Sequence, residues 1–246
     1  MTVPQHAAGR LLDEARDAPL ASLDLLSPGR GLLLIIPHPD DEALGCGMAL
    51  AAAAAAGRSI AIVLLTDGEG SHPCSSEFPS DRLRAVRQEE LASSLTILTG
   101  GNPVPVHRLQ LPDGRASAAM VSDAQLAALA ALAGHIRASS IWTSWRGDPH
   151  CDHLAAAELG QRLAAKLVLP LWSFAVWGRF GDAGAGGAQV VRFVSAAHQH
   201  LKALAIAAHR TQMTQLVADD PTGFIMPGKL IEHFAGSAEI FLHDRA

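Results

Sequence analysis

Short unbroken apolar runs alternate along this chain with longer segments of helical periodicity. Residues 32–36 (Leu-Leu-Leu-Ile-Ile) and 60–65 have the length of strands and lack polar alternation, which marks strands covered on both faces of a parallel sheet. Further strands are predicted over 104–111, 141–144, 169–176 and 189–195, with a short one at 239–242 in an irregular tail. Helices are predicted over 7–26 (Leu11, Leu12, Ala15 and Leu20 on one face), 39–56, 81–99, 122–138, from about 153 to 167, and 196–217. Ser27-Pro28-Gly29, Gly57 and Gly100-Gly101-Asn102-Pro103 supply the breaks, and Ser122 or Asp123 the cap of the fourth helix. The glycine- and alanine-rich stretch 181–188 is expected to be a loop, its role open between a lid and an idle turn.

Strands alternating with helices predict an α/β fold, a mostly parallel sheet with helices on both faces. No linker divides the chain, so one domain over 1–246 is expected, with residues 1–30 as an N-terminal helical extension. Ligands of such sheets bind at the carboxyl ends of the strands. The polar clusters 37–42, 66–70, 112–114 and 145–153 each follow a predicted strand, so all four should line one rim.

Composition narrows the field. The net charge of −5 argues against a nucleic-acid partner. Three cysteines, without CxxC spacing, speak against a disulfide framework or a cysteine metal site. The alanine run 49–56 is too short to span a membrane, and Asp13, Glu14, Asp17 and Asp24 do not suit a signal peptide. A cytoplasmic location is expected, with no transmembrane segment. The oligomeric state is not legible.

The chemistry lies on the predicted rim. His38 and Asp41, three apart at a strand-to-helix turn, project to one side, and His153 opens another helix on the same rim. Two imidazoles and a carboxylate can hold one zinc ion per chain with a position left for water, and other divalent metals suit such donors too. Asp40, beside the ligands, suits a general base. His150, one turn before His153, suits an oxyanion donor or proton donor, and Asp152 can fix a histidine tautomer. Asp40 and Asp41, or His150 and Asp152, also suit helix capping; both clusters combining His with Asp after apolar strands favours metal chemistry.

Pro37-His38-Pro39-Asp40-Asp41-Glu42 together with His150-Cys151-Asp152-His153 resembles the PIG-L/LmbE family of N-deacetylases. Thr66-Asp67-Gly68-Glu69, residues 87–90, residues 111–114, Lys202 and residues 209–212 extend the likeness. The resemblance implies a Rossmann-like fold and a mononuclear zinc site held by His38, Asp41 and His153. It implies Asp40 as general base, His150 stabilising the tetrahedral intermediate and Asp152 orienting a histidine. Arg87 and Asp113 match positions that touch substrate. The implied substrate is a small amide, an N-acetylated sugar conjugate such as an N-acetylglucosamine derivative. A zinc amidase on a non-sugar amide, or a metal-dependent binding protein without catalysis, are the alternatives. Some members use a mobile tyrosine at the site; this chain has no tyrosine.

Other residues receive plainer readings. Cys151 is expected to point away from the ligands and Cys46 to be buried. Asp67 and Glu69 either hydrogen-bond the site or solvate a loop. Arg82, Arg84 and Arg87 either meet an anionic substrate or form a solvated helix face, the plainer reading. Arg146 either holds an anion or pairs with Asp148. His198, His200 and His209 are expected on the surface, and Trp142, Trp145, Trp172 and Trp177 in core or rim packing.

Overall fold

The computed structural model describes Pro4 and residues 7–244. Its elements, in order, are α1 (Arg10–Ala15), α2 (Leu23–Leu26), β1 (Gly31–Ile36), α3 (Asp41–Ala55), β2 (Ser59–Leu64), α4 (Ser80–Leu98), β3 (Val106–Arg108) and α5 (Asp123–His135). There follow β4 (Ala138–Ser144), α6 (Cys151–Leu167), β5 (Leu171–Phe174), β6 (Gln189–Phe193), α7 (Ala196–Ala208), α8 (Arg210–Met213), α9 (Gly228–Gly236) and β7 (Glu239–His243). The strands form one seven-stranded sheet in the order β3-β2-β1-β4-β5-β7-β6. Pairings from β3 through β5 are parallel; β7 runs antiparallel to both β5 and β6.

The unbroken apolar run of β1 is explained by two cores. Leu32, Leu34 and Ile36 pack with α3, α4, α7 and α9 on one face, and Leu33 and Ile35 with α5 and α6 on the other. Strand order reverses at β1, with β2 on one side and β4 on the other. This is the switch point at which the loops after adjacent strands diverge and leave a crevice.

Several expectations are corrected. The helix over 7–26 is two short helices, because Leu20 leaves the helical path to bridge Arg192 beside β6. Of the extension over 1–30, residues 1–3, 5 and 6 lie outside the described residues. The strand over 104–111 shrinks to β3: Pro105 has no N–H to offer, and Gln110 takes a left-handed φ of 54°. The helix over 196–217 breaks at His209, whose buried ring is drawn inward to Glu42. The tail contains α9, whose Leu230 and Phe234 are fully buried. Among the described residues no helix is long and apolar enough to cross a membrane.

The helix that carries the first motif is itself broken. Cys46 departs from helical geometry (φ −145°, ψ 24°) inside α3, freeing backbone groups on both sides. The Glu239 carboxylate accepts from Met48 N and Ala49 N (2.6 and 2.9 Å), and Lys202 Nζ donates to Leu44 O (3.0 Å). Lys202 and Glu239 meet at 2.8 Å, both fully buried. The flanking glycines have reasons to be small: a Cβ at Gly45 would enter the Phe174 ring, and one at Gly47 would press on the Lys202 stem.

Candidate active site

All four polar clusters meet at the carboxyl end of the sheet. A cleft of about 470 Å³ is lined by His38, Asp40 and Asp41 after β1, Gly70 after β2, Asp113 after β3 and His150 after β4. Three imidazoles converge there: ring centroids of His38, His150 and His153 lie 4.9 to 5.4 Å apart.

His38 is held from both sides. Its Nε2 lies 2.9 Å from Asp152 Oδ2 and 3.2 Å from Asp113 Oδ1, and its Nδ1 3.3 Å from Asp41 Oδ2. Asp152 is itself fixed, accepting from Gly114 N (2.7 Å) and Ala116 N (2.8 Å). Burial alone would lower the His38 pKa, and hydrogen bonds to Asp113, Asp152 and Asp41 outweigh it and raise it well above the ordinary value. An imidazole with carboxylates at both nitrogens needs two positive hydrogens, or one hydrogen and a cation on the other side.

His153 makes the stronger case for a cation. It is fully buried, yet neither ring nitrogen has a hydrogen-bond partner. Its Nε2 lies 3.5 Å from Asp41 Oδ2 and its Nδ1 3.4 Å from Asp148 Oδ2. An unsatisfied buried polar group is costly; with Nδ1 facing the Asp148 carboxylate, Nε2 is the nitrogen left for a ligand. Burial would lower its pKa, and the Asp41 and Asp148 charges outweigh it and raise it. Burial would raise the Asp41 carboxyl, and the His153 and His38 rings hold it down at about 2. His38, Asp41 and His153 therefore fit a divalent ion. The sets whose donor atoms all lie within 4.8 Å of one another are His38, His150 and His153; His38, Asp113 and Asp152; and His150, Cys151 and Asp152; Asp41 is in none of them. The Asp113 and Asp152 carboxylates accept from backbone N–H groups, as does Asp41 Oδ2 from His38 N (3.1 Å).

Asp40 occupies the N-cap of α3 without making a capping hydrogen bond, which disposes of capping as its purpose. Its φ of 132° lies where L side chains are rarely found, a strain of the kind concentrated at working sites. Burial, opposed by the Arg87 guanidinium and reinforced by the Asp41 charge, lifts its carboxyl to about 7. Arg87 is buried, donating to Gly68 O (2.9 Å) and Pro39 O (2.6 Å) and lying 3.3 Å from Asp40 Oδ2. It ties the first two rim loops together while contributing to the cleft lining. Asp113 also lines the cleft, with Oδ2 accepting from Gly70 N (2.8 Å).

His150 is the N-cap of α6, and its Nδ1 accepts from Asp152 N (3.2 Å). That bond places the proton of the neutral ring on Nε2. Burial and the His38 and His153 rings hold its pKa down at about 4, so at neutral pH it is an uncharged N–H donor.

A protein-family comparison decides the relationship: the family described as PIG-L, GlcNAc-PI de-N-acetylase, matches residues 33–164, more than half of the chain. The chain belongs to the PIG-L family. A curated relative, the 1D-myo-inositol 2-acetamido-2-deoxy-alpha-D-glucopyranoside deacetylase of Kineococcus radiotolerans, is 35% identical over 119 residues, 45% of this chain and 32% of the relative. The chain thus spans about a third of that relative's length. Two solved structures share the fold. One is the zinc-inhibited form of a teicoplanin deacetylase (TM-score 0.62, 17% identity, covering 86% of this chain and 97% of the other). The other is the N,N'-diacetylchitobiose deacetylase of Pyrococcus horikoshii (TM-score 0.57, 19% identity, 76% and 72%).

Within this PIG-L chain, sequence reasoning missed the supports behind the motifs. Asp148 is 1% exposed and faces His153, its carboxylate fixed by Val176 N and Gly178 N (both 3.0 Å). Arg146, the partner considered for it, lies near Asp244 instead (3.6 Å). His209 is fully buried, correcting its expected surface place; its Nε2 meets Glu42 Oε1 at 2.8 Å, and Glu42 Oε2 accepts from Asp40 N (3.1 Å). Cys151 Sγ points to Gly114 O (3.1 Å), and Cys46 is buried, as expected. Asp67 is buried, with Gln88 donating to it (3.1 Å), and does not line the cleft. A charge after a strand and next to a histidine motif was the available signal for Asp148, and the family likeness at residues 209–212 was the one for His209.

Proposed function

We propose that this protein is a metal-dependent N-deacetylase that hydrolyses the acetamide of an amino-sugar conjugate, with zinc held by His38, Asp41 and His153. The observation that carries this reading is the unpartnered, fully buried His153 ring facing Asp41, with Asp40 held near 7 at the same cleft. A divalent ion there would acidify a water and polarise the amide carbonyl. Asp40, poised near neutrality, takes the proton from the attacking water. His150 Nε2–H donates to the oxygen that gains charge as the carbonyl carbon becomes tetrahedral. The proton on Asp40 then passes to the departing nitrogen, and the amine and acetate separate. Asp152 and Asp148 are positioning residues, holding the His38 and His153 rings from behind. The sugar component of the reading comes from the family's description and the relatives' named substrates.

The test is release of primary amine from N-acetylglucosamine conjugates by zinc-loaded protein, with Asp40→Ala in parallel and zinc content measured for both. Release by the wild type alone, at equal zinc content, is expected. Activity retained in Asp40→Ala would remove the base assignment. Zinc binding with hydrolysis only of non-sugar amides would move the substrate class, and zinc binding without any hydrolysis would leave a binding protein.

A further inference from the structure

The family match ends at residue 164, but the cleft is completed by later segments. Trp177, Phe224 and Ile225 from those segments join Leu44 and Pro73 to make an apolar wall. Trp177 and Phe224 meet edge to face, 5.7 Å between centroids. Trp177 is buried, whereas Phe224 and Ile225 are half-buried, leaving apolar surface available along the cleft.

This wall is built in advance of any ligand. Phe224 N donates to Ser71 O (2.8 Å) and Met226 N to Gln212 O (2.8 Å). Behind them the Asp219 carboxylate accepts from Ser75 Oγ (2.6 Å), Ser76 N (2.8 Å) and Glu77 N (2.9 Å), and Asp220 accepts from Cys74 N (2.8 Å). Two loops far apart in sequence are thereby joined along the cleft.

The charge of the cleft is as informative as its apolar wall. Among the described residues lining it, Arg87 is the only lysine or arginine, and its terminal nitrogens are committed to Pro39, Gly68 and Asp40. A phosphate or carboxylate on the substrate would find no free cation on the wall and would face the Asp113 carboxylate. An aromatic or alkyl group would instead bury apolar surface against Trp177, Phe224 and Ile225.

We propose that this wall is the aglycone subsite and that it selects an uncharged, apolar aglycone over an anionic one. The proposal rests on the deacetylase reading for its substrate and on the wall alone for its selectivity. Three probes test it: phenyl N-acetylglucosaminide in both anomers, N-acetylglucosamine 1-phosphate and free N-acetylglucosamine. Amine release gives kcat/KM for the zinc-loaded wild type, Phe224→Ala and Ile225→Lys. Equilibrium binding of the same probes is measured on zinc-loaded Asp40→Asn.

The phenyl conjugate should exceed the phosphate at least about tenfold in both readouts. Phe224→Ala should cut that ratio about tenfold, and Ile225→Lys, by adding a cation, should move it toward the phosphate. Equal or better binding of the phosphate or free sugar, or a ratio unmoved by both variants, overturns the subsite. No amine release, with the binding order intact, sinks the deacetylase reading and leaves the subsite standing. Absence of any binding preference sinks the subsite whatever the activity.

Discussion

Replacing Asp40 with asparagine should abolish turnover and stabilise the protein. The carboxyl is 6% exposed and held near 7, against 3.8 for the free group. A raised carboxyl pKa means that the folded chain holds its proton more tightly than the unfolded chain. That contribution to stability is present below pH 4 and is lost as pH rises through about 7. At about 1.4 kcal/mol per pH unit, the raised pKa costs the metal-free fold about 4 kcal/mol above pH 7, where Asp40 is ionised in both states, and about 2 kcal/mol at pH 5, where only the unfolded chain is ionised. Asparagine mimics the neutral acid in shape, so the variant should escape this cost. The assay is urea unfolding of metal-stripped wild type and Asp40→Asn at pH 8 and pH 5. The variant should be more stable at pH 8, and the gap should shrink by about half at pH 5. A variant less stable than wild type at pH 8, or a gap that ignores pH, would refute the reasoning and point to the Arg87–Asp40 contact as a net stabiliser.

Four further outcomes are expected. Amine release should fall as pH drops below about 7, where Asp40 takes up its proton, with bound metal moving this limb to lower pH; a pH–rate profile flat from 8 to 5 would count against Asp40 as base. Zinc binding should release protons and weaken with falling pH, because His38 and His153 are raised in the metal-free protein; calorimetry in buffers of different ionisation enthalpy checks this, and His153→Ala should lose the ion. Lys202→Met should lower stability by about 3–5 kcal/mol by stranding the buried Glu239 charge, and Glu239→Gln added to it should restore part of the loss in thermal unfolding. Val168, 88% exposed and left-handed (φ 55°, ψ 48°) at the end of α6, should gain about 1 kcal/mol on replacement by glycine, measured by chemical denaturation.

What the sequence disclosed follows from how far each signal reaches along the chain. β1 was legible because its apolar run serves two cores, and the rim because the polar clusters after β1 through β4 share one edge of a parallel sheet. The His38–Asp41 pair was legible because three residues of a turn suffice to place both side chains. His209 and Asp148 were not, because each is defined by a partner that is distant in the chain or belongs to another element's backbone. The break after Ala208 has the same origin. Local propensity favours one helix, and the tertiary pairing of His209 with Glu42 and of Thr211 with Glu90 (2.8 and 2.7 Å) overrides it.

These long-range pairs also explain how the chemical centre and the cleft wall can be carried by different residues. Every residue assigned to the metal and the reaction lies between His38 and His153, inside the family match. The C-terminal part reaches that centre through buried contacts: His209 on Glu42, Thr211 on Glu90, Lys202 and Glu239 on the break in α3. None of these contacts uses Trp177, Phe224 or Ile225, which line the cleft instead. The anchoring and lining roles therefore fall on different residues of the same part of the chain. A change at Phe224 or Ile225 alters the cleft wall while the anchors beneath α3 remain in place. A change at His209 disturbs Glu42, and through its bond to Asp40 N the strained turn that carries Asp40. His209→Ala should therefore lower kcat for every conjugate alike, whereas Phe224→Ala should change the ranking among conjugates; a kinetic panel in which the two variants exchange these signatures would undo the division.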